Sequence, residues 1–554
     1  MARNILFIMC DQLRWDYLSC TGHPTIRTPN IDALAARGVR FSRAYAQSTI
    51  CGSSRMSFYT GRYVDSHGAA WNNFPLKVGE MTLGDYLRPL GRRTVLVGKT
   101  HMAADTEGMA RLGIDPDSTI GTRVAECGFD PYERDDGLHG SGPAGRYDPR
   151  PVRYNEYLRQ LGYAGDDGWD DWANAGEDEH GNLLSGWLLR NSTRPARVAE
   201  EHSETPYMTR RAMEFIDDAG DLPWCLHLSY IKPHWPCIAP APYHAMYGAA
   251  DVPPPVRSEA EKADAHPIYQ AFLQSRVSKS FSRDEVREAV IPAYMGLITQ
   301  IDDQIGVLMA HLEKKGLTGE TMIVFTSDHG DYLGDHWMGE KDLFHEPSVR
   351  VPLIVVDPTP EADAARGSVC DALVEAIDLV PTFVQACGGT AQPHRLEGLA
   401  LQPWLHGQRP EAWREYAISE YDYSSTGAAV SLGVRPLDAR LFMVADRRWK
   451  YIHAPGFRPM LFDLESDPEE LRDLGADPAH REQCERMYQA LARWGLRQSQ
   501  RTAISDERIA AMRGASVRKG ILLGFWDESE LPDELVHEKW RGARAALARR
   551  GPTG

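Results

Sequence analysis

Ile5-Leu6-Phe7-Ile8-Met9-Cys10 is a continuous apolar run that ends abruptly in Asp11-Gln12. With no polar face, the run predicts a strand covered on both sides, the condition of a parallel sheet with helices above and below. Open α/β sheets gather ligands at the carboxyl ends of such strands, and Asp11 stands at one. Far downstream the pattern returns in Met322-Ile323-Val324-Phe325-Thr326-Ser327-Asp328-His329-Gly330, an apolar strand that delivers an acid and a histidine. Further apolar runs at 94–98, 224–230 and 351–356 alternate with helical patterns, which predicts an α/β fold with a large, mostly parallel sheet sandwiched by helices. The clearest helix is read over 293–315. Its Tyr294, Leu297, Ile298, Ile301, Ile305, Leu308 and Leu312 keep the helical period, and Gly316 stops it.

Two strand ends distant in sequence, offering carboxylate, amide and imidazole donors, predict ligands converging on one metal. The mixture suits Mn²⁺ or Ca²⁺ better than a thiolate-rich zinc site. A second signal is Ile50-Cys51-Gly52-Ser53-Ser54-Arg55-Met56-Ser57-Phe58-Tyr59-Thr60-Gly61-Arg62, where a cysteine precedes an arginine by four residues at the start of a helix-like segment. That places a potential nucleophile beside a cation at a helix N-terminus, a place to attack an anion.

The 554 residues carry 61 Lys and Arg against 78 Asp and Glu, a net charge of −17 that disfavours nucleic acid and anionic membrane surfaces. An anionic substrate must therefore be drawn by local cations. Nine cysteines, at 10, 20, 51, 127, 225, 237, 370, 387 and 484, show no close pairing, which reads as reduced thiols in a cytoplasm. The short run at 5–9 does not read as a secretory signal, and no segment is apolar over the roughly 20 residues a bilayer needs. The expected location is the cytosol.

Taken in order, Asp11-Gln12, the helix and strand over 29–41, the 51–62 tract, Gly98-Lys99-Thr100-His101, His234 within Lys232-Pro233-His234-Trp235-Pro236, and Ser327-Asp328-His329-Gly330 resemble the sulfatase branch of the alkaline phosphatase superfamily. More narrowly they are similar to the bacterial arylsulfatase and phosphonate monoester hydrolase group. The resemblance runs from Asn4 to about Phe462-Asp463-Leu464 and implies an alkaline phosphatase-like sheet with a small C-terminal antiparallel sheet. It also implies that a formylglycine-generating or equivalent modifying enzyme oxidises Cys51 to formylglycine. The hydrated aldehyde would be the nucleophile, and its second hydroxyl would later expel the bound sulfate. Asp11, Gln12, Asp328 and His329, with the modified Cys51, would hold one divalent cation. By the same resemblance Arg55 neutralises the developing alkoxide, Lys99 contacts the nucleophile and His101 helps collapse the covalent intermediate. His234 protonates the leaving oxygen, while Lys341 and Asn72 join it in binding substrate. Lys99 and His101 leave the 94–98 strand on alternate positions, so both are expected on one side of the cleft.

Two features pull the substrate class in different directions. Gln12 and His329, where many sulfatases carry Asp and Asn, match the phosphonate monoester hydrolases. Lys99 and His101 match the sulfatases, at positions where the other group carries uncharged tyrosine and threonine. Ser53 also departs from the family's usual Pro or Ala two residues after the cysteine. The leading expectation is a sulfuric ester hydrolase acting on a small sulfate ester, most simply an arylsulfatase. The alternative is a phosphonate monoester or phosphodiester hydrolase with the same machinery. A reading of another class is an unconverted, non-catalytic metal- and anion-binding protein.

The expected organisation is a catalytic domain over 1–410, a small subdomain over 411–500 and an extension over 501–554. An acidic, tryptophan-bearing insertion at about 130–203 reads either as a lid or as a solvated excursion. The apolar Ile521-Leu522-Leu523-Gly524-Phe525-Trp526 in the extension motivates a homo-oligomer, a tetramer by resemblance, or else packing onto its own chain.

Overall fold

The computed structural model describes residues 1–137 and 153–513, with 524, 526 and 530. Most of the apolar stretch at 521–526, the basic tail at 540–550 and residues 138–152 of the insertion lie outside the described residues.

Eight strands form the large sheet in the order Ser368–Glu375, Val39–Tyr45, Arg350–Val356, Thr321–Ser327, Asn4–Asp11, Trp224–Pro233, Arg93–Gly98 and Asp130–Arg134. All neighbours pair in parallel except Arg350–Val356, which runs against both of its partners. Asn4–Asp11 is central, with Cys10 level with Ser327 on one side and with Tyr230 on the other. A register shift after Cys10 sets Asp11 opposite Pro233. The sequence's apolar runs thus become adjacent strands, and the carboxyl ends of the parallel ones meet at one edge.

Alternation along the central strand feeds two cores. Leu6, Ile8 and Cys10 join Tyr294, Ile298, Ile301, Ile305, Leu308 and Leu312 of the long helix. Ile5, Phe7 and Met9 join Met56 and Phe58 of the Cys51–Thr60 helix, with Leu379 and Phe383 behind them. Each such side chain contributes about 1.5–3 kcal/mol on burial, so the helix that begins at Cys51 is anchored by the face opposite its functional end.

The long helix spans Asp284–Lys314, starting nine residues before the predicted Ala293, with Pro292 inside it. The packing of Val286, Val290 and Ile291 carries the helix through that proline. Helix Pro29–Arg37 has no side-chain cap of its own; Asp302 of the long helix accepts from the Asn30 and Ile31 amides at 3.2 and 2.8 Å. The cap therefore comes from the helix that packs against it.

The small sheet is an antiparallel meander of Ala417–Asp422, Arg440–Ala445, Trp449–His453 and Met460–Asp463. It belongs to one compact unit with the large sheet, Met1–Ala391 with Leu396–Arg497; a second unit comprises Gln392–Arg395 and Gln498–Gly554. Among the described residues no helix is long and apolar enough to cross a membrane.

Candidate active site

Cys51 opens the helix Cys51–Thr60, every residue of which is buried. Ile50 is extended, with no side-chain cap, and Gly61 ends the helix in the left-handed region at φ 68°. The Gly52 amide, an orphan of the first turn, donates to Asn72 Oδ1 at 2.8 Å. Asn72 therefore holds the backbone next to Cys51.

Around the sulfur stand four charged or ionisable groups. His329 Nε2 and Lys341 Nζ each lie 3.1 Å from Cys51 Sγ, and Asp11 Oδ1 lies 3.7 Å away. His101 is a further electrostatic neighbour of Cys51. Donor atoms of Asp11, Cys51, Asp328 and His329 all fall within 4.8 Å of one another, and all four residues are buried. Gln12 sits beside this group: its Oε1 accepts from Lys341 Nζ at 3.0 Å and its Nε2 donates to Asp331.

Arg55, one turn into the helix, is fully buried. Its Nε donates to Asp328 Oδ2 at 2.8 Å, and its Nη1 to Lys99 O and Ser229 Oγ at 2.9 and 2.7 Å. Its Nη2 lies 3.3 Å from Asp11 Oδ2. The guanidinium spans the two carboxylates, so its charge bears on Cys51 largely by fixing Asp11 and Asp328. Asp328 Oδ1 also accepts the Gln12 and His329 amides, each at 3.0 Å, which stitches the two strand ends together.

Lys99 and His101 do reach the same place, but not by strand alternation. The strand stops at Gly98, whose φ of 110° is open to glycine, and a Cβ there would stand 2.0 Å from Ser229 O. Beyond it the chain turns. Asp136 Oδ1 accepts the Thr100 and His101 amides at 2.9 and 3.1 Å, with His101 at φ 53°. Lys99 Nζ then pairs with Asp11 Oδ2. Lys341 comes from a second strained loop, between Glu340 at φ 64° and Asp342 at φ 113°. That loop is tied down by Tyr421 of the small sheet, which donates to Asp342 Oδ1 at 2.7 Å, and by Thr49, which donates to Asp342 O at 2.6 Å. His234 follows the strand Trp224–Pro233 and is half-buried, its Nδ1 donating to Trp235 O at 2.9 Å.

The charges are mutually supporting. Burial pushes the Cys51 thiol up, but Lys341, His329 and Lys99 overcome it and hold the group well below its ordinary value. Burial and Cys51 likewise push Asp11 up, and Lys99, His234 and Arg55 outweigh them, keeping its carboxyl below the usual range. Burial and Lys99 lower His101, which favours a neutral imidazole. The arrangement offers an ionised group at position 51 inside a ring of fixed cations, a setting that stabilises developing negative charge.

The sequence reading did not single out Asp136, Ser229 or Asp331. Asp331 was in plain view, two residues after His329 in the same run. Asp136 and Ser229 carry no motif and act only through the fold.

The combination of sheet, strand-end carboxylates and a cysteine at a helix N-terminus defines a hydrolase of the alkaline phosphatase type. The chain belongs to the sulfatase family: residues 3–389 match the sulfatase family and residues 334–497 match "N-sulphoglucosamine sulphohydrolase, C-terminal". It is 31% identical to the multifunctional alkaline phosphatase superfamily protein PehA of Trinickia caryophylli, over 90% of this chain and 96% of that one. An arylsulfatase of Clostridium perfringens is 27% identical, over 89% and 94%. Among solved structures, the phosphonate monoester hydrolase of Silicibacter pomeroyi superposes with a TM-score of 0.79 at 28% identity, covering 91% of this chain and 98% of that one.

Proposed function

We propose that the protein hydrolyses sulfate monoesters, most simply aryl sulfates, using a formylglycine made from Cys51 and one divalent cation, Mn²⁺ or Ca²⁺. The observation that carries this reading is the pair of ammonium groups at the site, Lys99 on Asp11 and Lys341 on Cys51, with the His101 imidazole beside them. A sulfate monoester is a monoanion that must release a phenoxide or alkoxide. Cations at the nucleophile and an acid at the leaving oxygen address those two demands.

The residues fit such a cation. Asp11, Asp328 and His329 converge on Cys51 with oxygen and imidazole donors, and Gln12 offers an amide oxygen oriented by Asp331. When bound, the cation supplies positive charge that eases ionisation at position 51 and attracts the ester. The Cys51 sulfur marks where a hydroxyl of the hydrated aldehyde would stand. His101, neutral beside it, receives a proton there when the covalent intermediate collapses. Lys99 and Lys341 hold the ester oxygens, Arg55 keeps Asp11 and Asp328 in place, and Asn72 braces Gly52. His234 commits Nδ1–H to a carbonyl, so Nε2 is the atom that delivers a proton to the leaving oxygen.

A second reading, phosphonate monoester hydrolysis, is favoured by Gln12 and His329 and by the likeness to the Silicibacter enzyme. The same cations tolerate both esters, so the sulfate preference is a ratio of rates. Comparing kcat/KM for matched aryl sulfate and phenylphosphonate esters on one preparation decides between them; a higher value for the phosphonate reverses the assignment. The reading includes maturation by a formylglycine-generating enzyme, a cytosolic location consistent with nine free cysteines, and a homotetramer carried over from the resemblance. A monomeric mass by light scattering would reject the tetramer. The division into a catalytic region over 1–410, a subdomain to 500 and an extension is part of the same proposal.

A further inference from the structure

The turn that carries His234 is closed by a buried ammonium. Lys232 is the penultimate residue of Trp224–Pro233, within the irregular stretch that follows Tyr230, and its ammonium reaches Asn174 of the insertion. Lys232 is 5% exposed. Its Nζ donates to Asn174 Oδ1 at 2.6 Å and to Pro236 O at 2.9 Å. Between Lys232 and Pro236 lie only Pro233, His234 and Trp235. The His234 amide donates back to Ile231 O at 3.1 Å, so the turn is pinned from both sides.

Asn174 is itself held rigidly. Its backbone N–H and its Nδ2 both donate to Trp169 O at 3.0 Å. Trp169 Nε1 in turn donates to Glu204 Oε1 at 2.7 Å, and Glu204 is an electrostatic partner of Lys232. Burying an ammonium is costly, and an apolar side chain would serve packing here as well. What the ammonium adds is a fixed position for Pro236 O, and with it for the Trp235 carbonyl that orients the imidazole.

We propose that Lys232, braced by Asn174 of the insertion, is a positioning residue that holds His234 Nε2 at the leaving oxygen. The inference rests on the reading of His234 as the general acid. It assigns the insertion a part in proton delivery without contact between the insertion and substrate.

The test is the dependence of kcat/KM on the leaving group, measured with parallel series of aryl sulfates and aryl phenylphosphonates running from dinitrophenyl to phenyl esters. Lys232→Met should lose about 10²–10³-fold with phenyl esters and less than about tenfold with dinitrophenyl esters, since an activated phenol needs no proton. Asn174→Ala should show the same tilt at about tenfold, and it keeps the test alive if Lys232→Met fails to fold. Lys232→Arg should restore part of the loss. His234→Asn is the reference and should tilt most. A uniform fall across the series in Lys232→Met and Asn174→Ala, with His234→Asn tilted, overturns the positioning role while leaving His234 as the acid. A flat series in His234→Asn overturns both.

Discussion

The two sides of the site are built differently. On one side, Asp11, Asp328, His329 and Cys51 sit at the ends of adjacent strands and the start of a helix, so the sheet's register sets their spacing. On the other, Lys99, His101, His234 and Lys341 ride on turns, and each depends on a residue borrowed from elsewhere. Asp136 holds the Lys99–His101 turn, Asn174 meets the ammonium that closes the His234 turn, and Tyr421 with Thr49 ties the Lys341 loop. In the proposed mechanism regular structure fixes where nucleophile and cation charge meet. In that mechanism irregular structure, held by a few borrowed hydrogen bonds, decides what can be bound and protonated there.

If that contrast is correct, losses on the strand side should be near-total and those on the turn side graded. Cys51→Ala should abolish turnover, by about 10⁴-fold or more, while circular dichroism and the thermal midpoint stay near wild type, because so small a side chain carries little packing. Wild-type-like rates in that variant would remove the nucleophile from the account.

Asp328→Ala should lose metal and activity together, read by elemental analysis and kcat on the same sample. It also strips Arg55 of a buried partner, so an added instability of about 3–5 kcal/mol is expected. Full metal occupancy in this variant would contradict the strand-end site.

Asp136→Ala should be milder. It frees the Thr100 and His101 amides and should lower kcat by about 10–100-fold with metal content unchanged. Loss of metal as well would blur the distinction between the two sides.

The smallest effect concerns acid stability of the nucleophile's support. His67 accepts the Ala69 amide and meets Ser57 of the Cys51 helix; His227, beneath that helix, bonds Tyr59 and Phe7 O. Burial, with Arg62 and Lys77, lowers His67 from 6.5 to about 3. Burial lowers His227 to about 3 as well, with Phe7 O opposing and Arg55 assisting. Both are neutral when folded and take up protons more readily when unfolded. Their stability is therefore complete above pH 6.5 and lost as pH falls from there toward 3. Urea midpoints across that window should decline, and His67→Asn should flatten the decline while lowering stability at neutral pH.

The same contrast explains what could be read without a structure. Asp11, Asp328 and His329 were legible because an apolar run has to end somewhere, and a polar residue at its end faces the ligand edge of the sheet. The five strands read from apolar runs stand in the large sheet, and the resemblance supplied the small one. The Arg440–Ala445 strand of that small sheet does carry an apolar run, Leu441-Phe442-Met443-Val444-Ala445, which the sequence reading passed over. The turn side was only partly legible. Lys99 and His101 were assigned to one side of the cleft by strand alternation, whereas Gly98, a left-handed His101 and Asp136 bring them there. Asp136, Asn174 and Tyr421 reach the site across long sequence separations through one or two hydrogen bonds each, and no local periodicity encodes such a contact. The start of the long helix was also misplaced: its first nine residues, with Val286, Val290 and Ile291 packed in the core, precede the run read over 293–315.

The central claim is that position 51 acts as an aldehyde derived from cysteine. The direct measurement is the mass of the peptide containing Cys51, taken from active preparations made with and without a co-expressed formylglycine-generating enzyme. The account predicts sulfur replaced by oxygen with loss of two hydrogens, and a turnover rate per chain that rises in proportion to the converted fraction. A fully active preparation in which Cys51 remains an unmodified thiol would contradict it.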